Sequence, residues 1–172
     1  YPPVRRDGTA WEWKLKKLTY DRSRLLLVAP SRWLYEIAKR SLLGEFPIRH
    51  IPHGIDTDLY QPFDKETCRS LLGIPKGKHV VLFAVDDLSR RLKGSDLIRE
   101  ALMHLPDSLK RETVLLMFGR SGSSISKVLD MHSVDLGYVS NDRLKALAYS
   151  AASVFLHPTR AENFPLVILE SM

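Results

Sequence analysis

The segment that decides the fold reads Val154-Phe-Leu-His-Pro-Thr-Arg-Ala-Glu-Asn-Phe-Pro-Leu-Val-Ile-Leu-Glu-Ser-Met172. Its first apolar run has the length of a buried strand and ends at Pro158. A loop containing Glu162 follows, and Pro165 begins a second apolar run at a position that suits the first turn of a helix. The segment therefore predicts a strand, a loop and a helix, with Glu162 before the helix and Glu170 more than one turn inside it.

The predicted loop and helix also suit an anionic ligand. Backbone N–H groups near Phe164 to Val167, at the start of the predicted helix, and the positive end of the helix dipole would face the same cleft. Glu162 and Glu170 would frame that cleft with two carboxylates. Taken alone, two such glutamates are more often a solvated loop residue and an exposed helix residue.

Upstream, apolar runs of strand length alternate with segments of helical periodicity. The predicted strands are residues 24–29, 48–51, 79–85, 113–118, 134–139 and 154–157. Ser31, Ser95 and Ser140 are predicted to cap helices, and Gly44 ends the first of them. Further helices are predicted over residues 64–72 and in a short stretch through Val128 and Leu129. This alternation predicts an α/β, Rossmann-like parallel sheet with helices on both faces, and ligands beyond the carboxyl ends of its strands.

Length and composition indicate a globular chain with one good core and part of another domain. The one cysteine, Cys68, fits a reducing compartment and hence a cytoplasmic location. No apolar run approaches the roughly 20 residues that a membrane helix needs, and no signal peptide is visible after Tyr1.

The excess positive charge of +6 lies entirely at the front of the chain. Residues 1–50 contain eleven Lys or Arg and five acidic residues, whereas the remainder contains fifteen of each. The stretch from Trp11 to Lys17 could contact an anionic membrane surface or an anionic acceptor, or form a solvated helix face. Nucleic acid is not an expected partner, because no nucleic-acid-binding motif accompanies the charge.

The two glutamates and the seven residues between them, Glu162-Asn-Phe-Pro-Leu-Val-Ile-Leu-Glu170, closely resemble the donor-site motif of family 4 glycosyltransferases of the GT-B fold. Upstream, Pro52-His-Gly-Ile-Asp56 resembles the linker between the two domains of these enzymes, although alone it is an ordinary turn. The resemblance implies that residues 1–51 are a remnant of the N-terminal acceptor domain, 52–62 the linker and 63–172 the nucleotide-sugar-binding domain. It also implies that the chain is truncated at both ends.

The resemblance extends to Lys93-Gly94, which would place an ammonium group beside the diphosphate of the donor. The family's Gly-Arg upstream of this lysine is missing, because Asp86 and Asp87 occupy its place. Arg90 or Arg91 is a candidate substitute. An isolated run of this kind is more often a solvated turn.

By resemblance, the catalytic residues are Glu162, near the donor sugar ring, and Lys93, while Glu170 accepts hydrogen bonds from the ribose hydroxyls. A glycine turn beside the nucleotide and a segment that meets the base belong to the same pattern, though each is also explained as plain loop or strand. The full set of expected donor-binding residues is Glu170, Arg90, Arg91, Gly119, Tyr138, Val139, Asn163, Phe164, Pro165 and Leu166.

Other chemistries have weaker support. His53, His132 and His157 lack metal-ligand spacing, and no metal or other cofactor is expected. Ser121 and Ser123 have no evident His and acid partners for a nucleophilic triad. Hydrolysis by a glutamate pair, as in glycosidases, is chemically open, but an anion site between the two acids favours nucleotide-sugar binding.

The sequence thus predicts a glycosyltransferase that moves a hexose, with retention, from a nucleotide diphosphate sugar to a hydroxyl acceptor. The expected acceptor is a glycan or lipid-linked sugar in polysaccharide or glycolipid biosynthesis, at the cytoplasmic face of the membrane. A nucleotide-sugar-binding fragment without catalysis and a module that binds anionic membranes are the alternatives.

Overall fold

The computed structural model describes residues 7–87, 89–122, 125, 127 and 129–172. The chain divides into two units, Tyr1–His53 and Gly54–Met172. None of the helices in the described residues is both long and apolar enough to cross a bilayer.

The first unit contains a small parallel sheet. Its elements are α1 (Thr9–Tyr20), β1 (Leu27–Ala29), α2 (Arg32–Lys39), a 3₁₀ turn (Leu42–Glu45) and β2 (Ile48–His50). Strands β1 and β2 pair in parallel. The Ser31 side chain caps α2 as predicted, accepting from the Leu34 N–H at 3.1 Å. The helix ends at Lys39, earlier than expected, because Ser41 caps a new 3₁₀ turn in which Gly44 lies.

The second unit is a four-stranded sheet with helices. Its elements are α3 (Lys65–Leu71), β3 (His79–Asp87), a 3₁₀ turn (Arg91–Lys93), α4 (Ser95–Met103), α5 (Asp107–Glu112), β4 (Thr113–Arg120), β5 (Ser133–Asp135), α6 (Asp142–Ala151), β6 (Val154–Leu156) and α7 (Leu166–Glu170). The strand order is β5-β4-β3-β6 and every pairing is parallel.

Successive side chains of the central strands point to opposite faces of this sheet and pack into two separate apolar clusters. Leu82 and Leu116 pack with residues of α3 and α6, such as Cys68 and Ala148. Phe83 and Met117 belong to a second cluster with Ile98 and Leu102 of α4. Strands that are buried on both faces read as continuous apolar runs, as β3 and β4 do. The predicted α/β class, with a parallel sheet between helices, is confirmed.

Several predicted boundaries are wrong. Strand β5 ends at Asp135 rather than residue 139. Asn141, not Ser140, caps α6, because its side chain accepts from the N–H groups of Arg143 and Leu144. Gly94 occupies the N-cap of α4 in place of Ser95. The short helical stretch predicted through Val128 falls partly outside the described residues.

Candidate functional site

Lys93 is held at the carboxyl end of β3 by the glycine that follows it. Gly94 has a φ of 78°, a left-handed conformation that side chains rarely adopt. A Cβ at this position would also collide with the carbonyl oxygen of Pro158, just after β6. The glycine therefore allows the loop after β3 and the loop after β6 to touch.

Lys93 and Glu162 meet where these two loops touch. The lysine Nζ lies 2.5 Å from Oε1 of Glu162. Their side chains are 25% and 22% exposed, so the pair is shielded from bulk water but still accessible. The structure thus joins two residues that are 69 positions apart in the sequence and that the resemblance assigned to the same site.

Arg160 ties the same loops together, a role that was not predicted. Its guanidinium donates two hydrogen bonds to the Asp96 carboxylate, at 2.7 and 2.8 Å. One of its nitrogens also donates to the Arg91 carbonyl oxygen at 2.6 Å. The Arg160 contact lowers the pKa of Asp96 below its ordinary value. No spacing rule links residues 96 and 160, so the sequence carried no signal for this pair.

His157 lies beside the lysine–glutamate pair. Its Nε2 is 4.0 Å from Glu162 Oε1, and within the described residues neither ring nitrogen has a hydrogen-bond partner. Burial lowers the pKa of His157; Glu162 opposes the shift and Lys93 adds to it. These surroundings favour the neutral form of the imidazole. The His157 ring packs against the Phe155 ring.

Glu170 occupies a different environment, built from tyrosines. The Tyr149 hydroxyl donates to Oε2 of Glu170 at 3.0 Å. The Tyr149 ring is fixed by edge-on contacts with Phe118 and Phe155. Burial first and the Glu170 charge second raise the pKa values of Tyr149 and Tyr60, so both hydroxyls remain protonated donors. A tyrosine whose ring packs into a core usually needs a hydrogen-bond partner for its O–H. This requirement was the signal in the sequence that could have predicted a polar partner for Tyr149.

A cavity of about 220 Å³ opens beside Glu170, lined among others by Tyr60, Phe63 and Tyr149. Pro165 is the N-cap of α7 rather than a residue of its first turn, and Glu170 lies four residues after Leu166, more than one turn into the helix as predicted.

The two candidate arginines differ in their partners. Arg90 pairs with Asp86 at 3.1 Å. Asp86 is one of the two acids at the place where the family has its arginine, so it engages one of the two candidate substitutes for that arginine. The Arg91 side chain is 87% exposed, and its contact with Asp96 is longer, at 3.9 Å. Arg91 is therefore the more available cation for a ligand.

The expected nucleotide-contacting residues lie at the ends of β4 and β5. Gly119 remains inside β4, which extends beyond the predicted break, and its N–H donates to the Gly137 carbonyl at 2.7 Å. The exposed Tyr138 ring lies under the Arg120 guanidinium at 4.9 Å. Val139 is buried.

The remaining predicted donor-binding residues surround the start of α7. Asn163 and Phe164 lie in the loop before Pro165, and Leu166 opens the helix with an exposed side chain. Over the described ranges, His, Cys, Asp and Glu side chains form no group of three that could hold a metal. The expectation that no metal is needed stays a prediction.

Comparison with known proteins defines the class. Residues 64–172 match the family described as glycosyl transferases group 1. The chain is 32% identical over 147 residues to D-inositol 3-phosphate glycosyltransferase 1 of Catenulispora acidiphila, covering 76% of this chain and 35% of that protein. It is 32% identical over 129 residues to the Mycobacteroides abscessus D-inositol 3-phosphate glycosyltransferase, covering 69% and 28%. The chain thus spans about a third of the length of these relatives.

Solved structures share the fold. Sucrose-phosphate synthase from Thermosynechococcus elongatus has a TM-score of 0.74 at 22% identity, over 98% of this chain and 44% of that one. Anabaena HepE, solved in complex with UDP, has a TM-score of 0.67 at 22% identity, over 99% and 48%. The architecture is that of GT-B glycosyltransferases. The chain belongs to the group 1 glycosyl transferase family, which confirms the resemblance seen in the sequence.

Proposed function

We propose that this chain is the donor-binding part of a glycosyltransferase that moves a hexose, with retention, from a nucleotide diphosphate sugar to a hydroxyl acceptor. The observation that carries the proposal is the Lys93–Glu162 pair, formed by two loops at the carboxyl ends of parallel strands. This is where α/β sheets bind their ligands. Family membership and the UDP bound by HepE support a nucleotide sugar as that ligand.

In the proposed reaction, the bond between the anomeric carbon and the diphosphate oxygen breaks, and its electrons pass to the diphosphate. The Lys93 ammonium, with Arg91 beside it, stabilises the negative charge that grows on this leaving group. The acceptor hydroxyl attacks from the face that the diphosphate leaves, and its proton goes to the departing oxygen. Glu162 contacts the sugar ring, and Glu170 accepts hydrogen bonds from the ribose.

The acceptor and the cellular location form a further part of the proposal. We infer a glycan or lipid-linked sugar as the acceptor, in polysaccharide or glycolipid biosynthesis in the cytoplasm, and a reaction without a metal. The relatives are named D-inositol 3-phosphate glycosyltransferases, and the compound in that name carries hydroxyl groups. The alternative is that the 172-residue chain binds the donor without turning it over.

Calorimetric titration of the chain with UDP-, GDP- and ADP-sugars tests the proposal. We expect one base to bind, and Lys93→Ala to weaken its diphosphate sugar about tenfold, the scale of a lost charge-assisted contact. Lys110→Ala is the matched control, because Lys110 is also paired with an acidic residue, Asp107, and its side chain has a similar exposure of 20%. Absence of binding by every donor would contradict the proposal. Binding without release of nucleoside diphosphate would favour the alternative.

A second candidate function rests on α1. Trp11, Leu15 and Leu18 are exposed on this helix, at 68%, 48% and 58%, and Lys14, Lys16 and Lys17 accompany them. Apolar and cationic side chains together suit an anionic membrane surface. We expect salt-sensitive co-sedimentation with vesicles containing phosphatidylglycerol. Equal binding to purely zwitterionic vesicles would exclude this electrostatic attraction.

A further inference from the structure

Arg160 and Asp96 form the most fully connected ion pair around the proposed donor site. Both Nη atoms of the arginine are bonded to the carboxylate oxygens in the parallel, two-bond geometry that favours arginine over lysine. Asp96 is the second residue of α4, and Arg160 lies in the loop after β6. The pair therefore joins the loop of Glu162 to the helix that begins immediately after Lys93 and Gly94.

Backbone contacts reinforce this junction on both sides of Lys93. The N–H of Arg160 donates to the Leu92 carbonyl at 2.9 Å, and the Thr159 hydroxyl donates to the same oxygen at 3.1 Å. On the other side, Gly94 fits against Pro158 only because it lacks a side chain. The residues before and after Lys93 are thus fixed to the residues that precede Glu162.

Arg160 is poorly suited to bind phosphate itself. Its guanidinium donors already engage the Asp96 carboxylate and the Arg91 carbonyl. The Arg160 and Asp96 side chains are 33% and 38% exposed, so solvent screens the pair and reduces its contribution to stability. The contribution of the pair is therefore geometric: it sets where the loops stand, and its loss should perturb binding more than folding.

We propose that Arg160 and Asp96 are positioning residues, which set the separation of Lys93 and Glu162 and so align the diphosphate and sugar of the donor. This inference rests on the proposed function, but its structural half is independent of it. If the inference is correct, breaking the pair displaces Glu162 from Lys93 even in the absence of a ligand. The donor's nucleoside, which the resemblance places at Glu170, should be unaffected.

The first test measures affinity in Arg160→Lys, Asp96→Asn and the double variant. We expect about a tenfold loss of affinity for the nucleotide diphosphate sugar in each single variant, and little further loss in the double variant, because either change alone already breaks the Arg160–Asp96 pair. Affinity for the free nucleoside should change by less than about twofold. Asp107→Asn, which removes an exposed acid from the Lys110 pair on α5, is the matched control. Equal losses for nucleoside and diphosphate sugar, or additive losses, would overturn the proposal.

The second test needs no donor and separates this inference from the proposed function. His157 Nε2 lies 4.0 Å from Glu162 Oε1, so the imidazole NMR signals, assigned through His157→Gln, report on the position of Glu162. We expect these signals to move in Arg160→Lys and Asp96→Asn and to stay in place in Asp107→Asn. If no nucleotide sugar binds but the signals move, the proposed function fails and the positioning role survives. Unmoved signals would refute the positioning role whatever the donor result.

Discussion

Glu162 and Glu170 lie eight residues apart, yet the structure gives them opposite surroundings. Glu162 faces a lysine at 2.5 Å, in a junction crossed by ionic contacts. Glu170 accepts from the neutral hydroxyl of Tyr149, whose ring packs among phenylalanines. A carboxylate paired with a cation is suited to a site where negative charge develops on a leaving group. One held by a tyrosine hydroxyl keeps acceptor capacity for further hydroxyl donors, such as those of a ribose.

The largest expected effect on stability comes from forcing apart the loop after β3 and the loop after β6, which carries Glu162. Gly94→Ala should lower the free energy of unfolding by about 2 to 4 kcal/mol, because the new methyl group collides with Pro158 and the residue must keep a positive φ. Gly77→Ala is the matched control: its φ is 74°, but no heavy atom lies within 4 Å of the added Cβ. Urea unfolding of both variants measures the difference. Equal losses would show that the contact with Pro158 is unimportant.

The two glutamates themselves should differ in what they bind. Glu170→Ala should weaken both the nucleoside diphosphate and its sugar conjugate by about 10- to 100-fold, the range for hydrogen bonds to a charged group. Glu162→Ala should weaken only the sugar conjugate, because the diphosphate lacks the ring that Glu162 is proposed to contact. Calorimetry with both ligands tests this. The same profile for both variants would remove the distinction between the two sites.

A smaller effect is expected when the tyrosine contact alone is removed. Tyr149→Phe keeps the edge-on ring contacts but leaves Oε2 of Glu170 without this donor, so the free energy of unfolding should fall by about 1 to 2 kcal/mol. Donor affinity should fall a few-fold, since Glu170 is then less well oriented. Tyr20→Phe serves as the control, because the Tyr20 ring also makes an edge contact, with Phe46, but belongs to the unit Tyr1–His53. A change no larger than that of Tyr20→Phe would contradict a role for the hydroxyl.

The smallest effect is a pH dependence on the Glu162 side. Burial holds the pKa of His157 below its ordinary 6.5. Between that lowered value and 6.5 the unfolded chain binds more protons than the folded one, so stability rises with pH through this window and is lost as pH falls through it. The slope is at most about 1.4 kcal/mol per pH unit. His157→Leu should flatten the profile in urea titrations, whereas the same change at the exposed His104 should not.

The outline of the fold was readable because it depends on local patterns. The runs at 79–85 and 113–118 are continuous and apolar, which in a chain that alternates with helices indicates a parallel strand buried on both faces. Boundaries were less certain, because they depend on which of two neighbouring polar residues reaches the helix N–H groups. Asn141 does so in place of Ser140, and Gly94 displaces Ser95 because the chain must pass close to Pro158.

By itself, the sequence determined the class of fold and the family and proposed candidates for the site, because strand periodicity and motif spacing are properties of short segments. Only the tertiary structure decided which residues meet. Lys93 contacts Glu162, and Arg160 contacts Asp96, although more than sixty residues separate the members of each pair. They meet because the parallel pairing of β3 with β6 brings the carboxyl ends of these strands side by side. Contacts of that kind are set by the order of strands in the sheet, which no local pattern encodes.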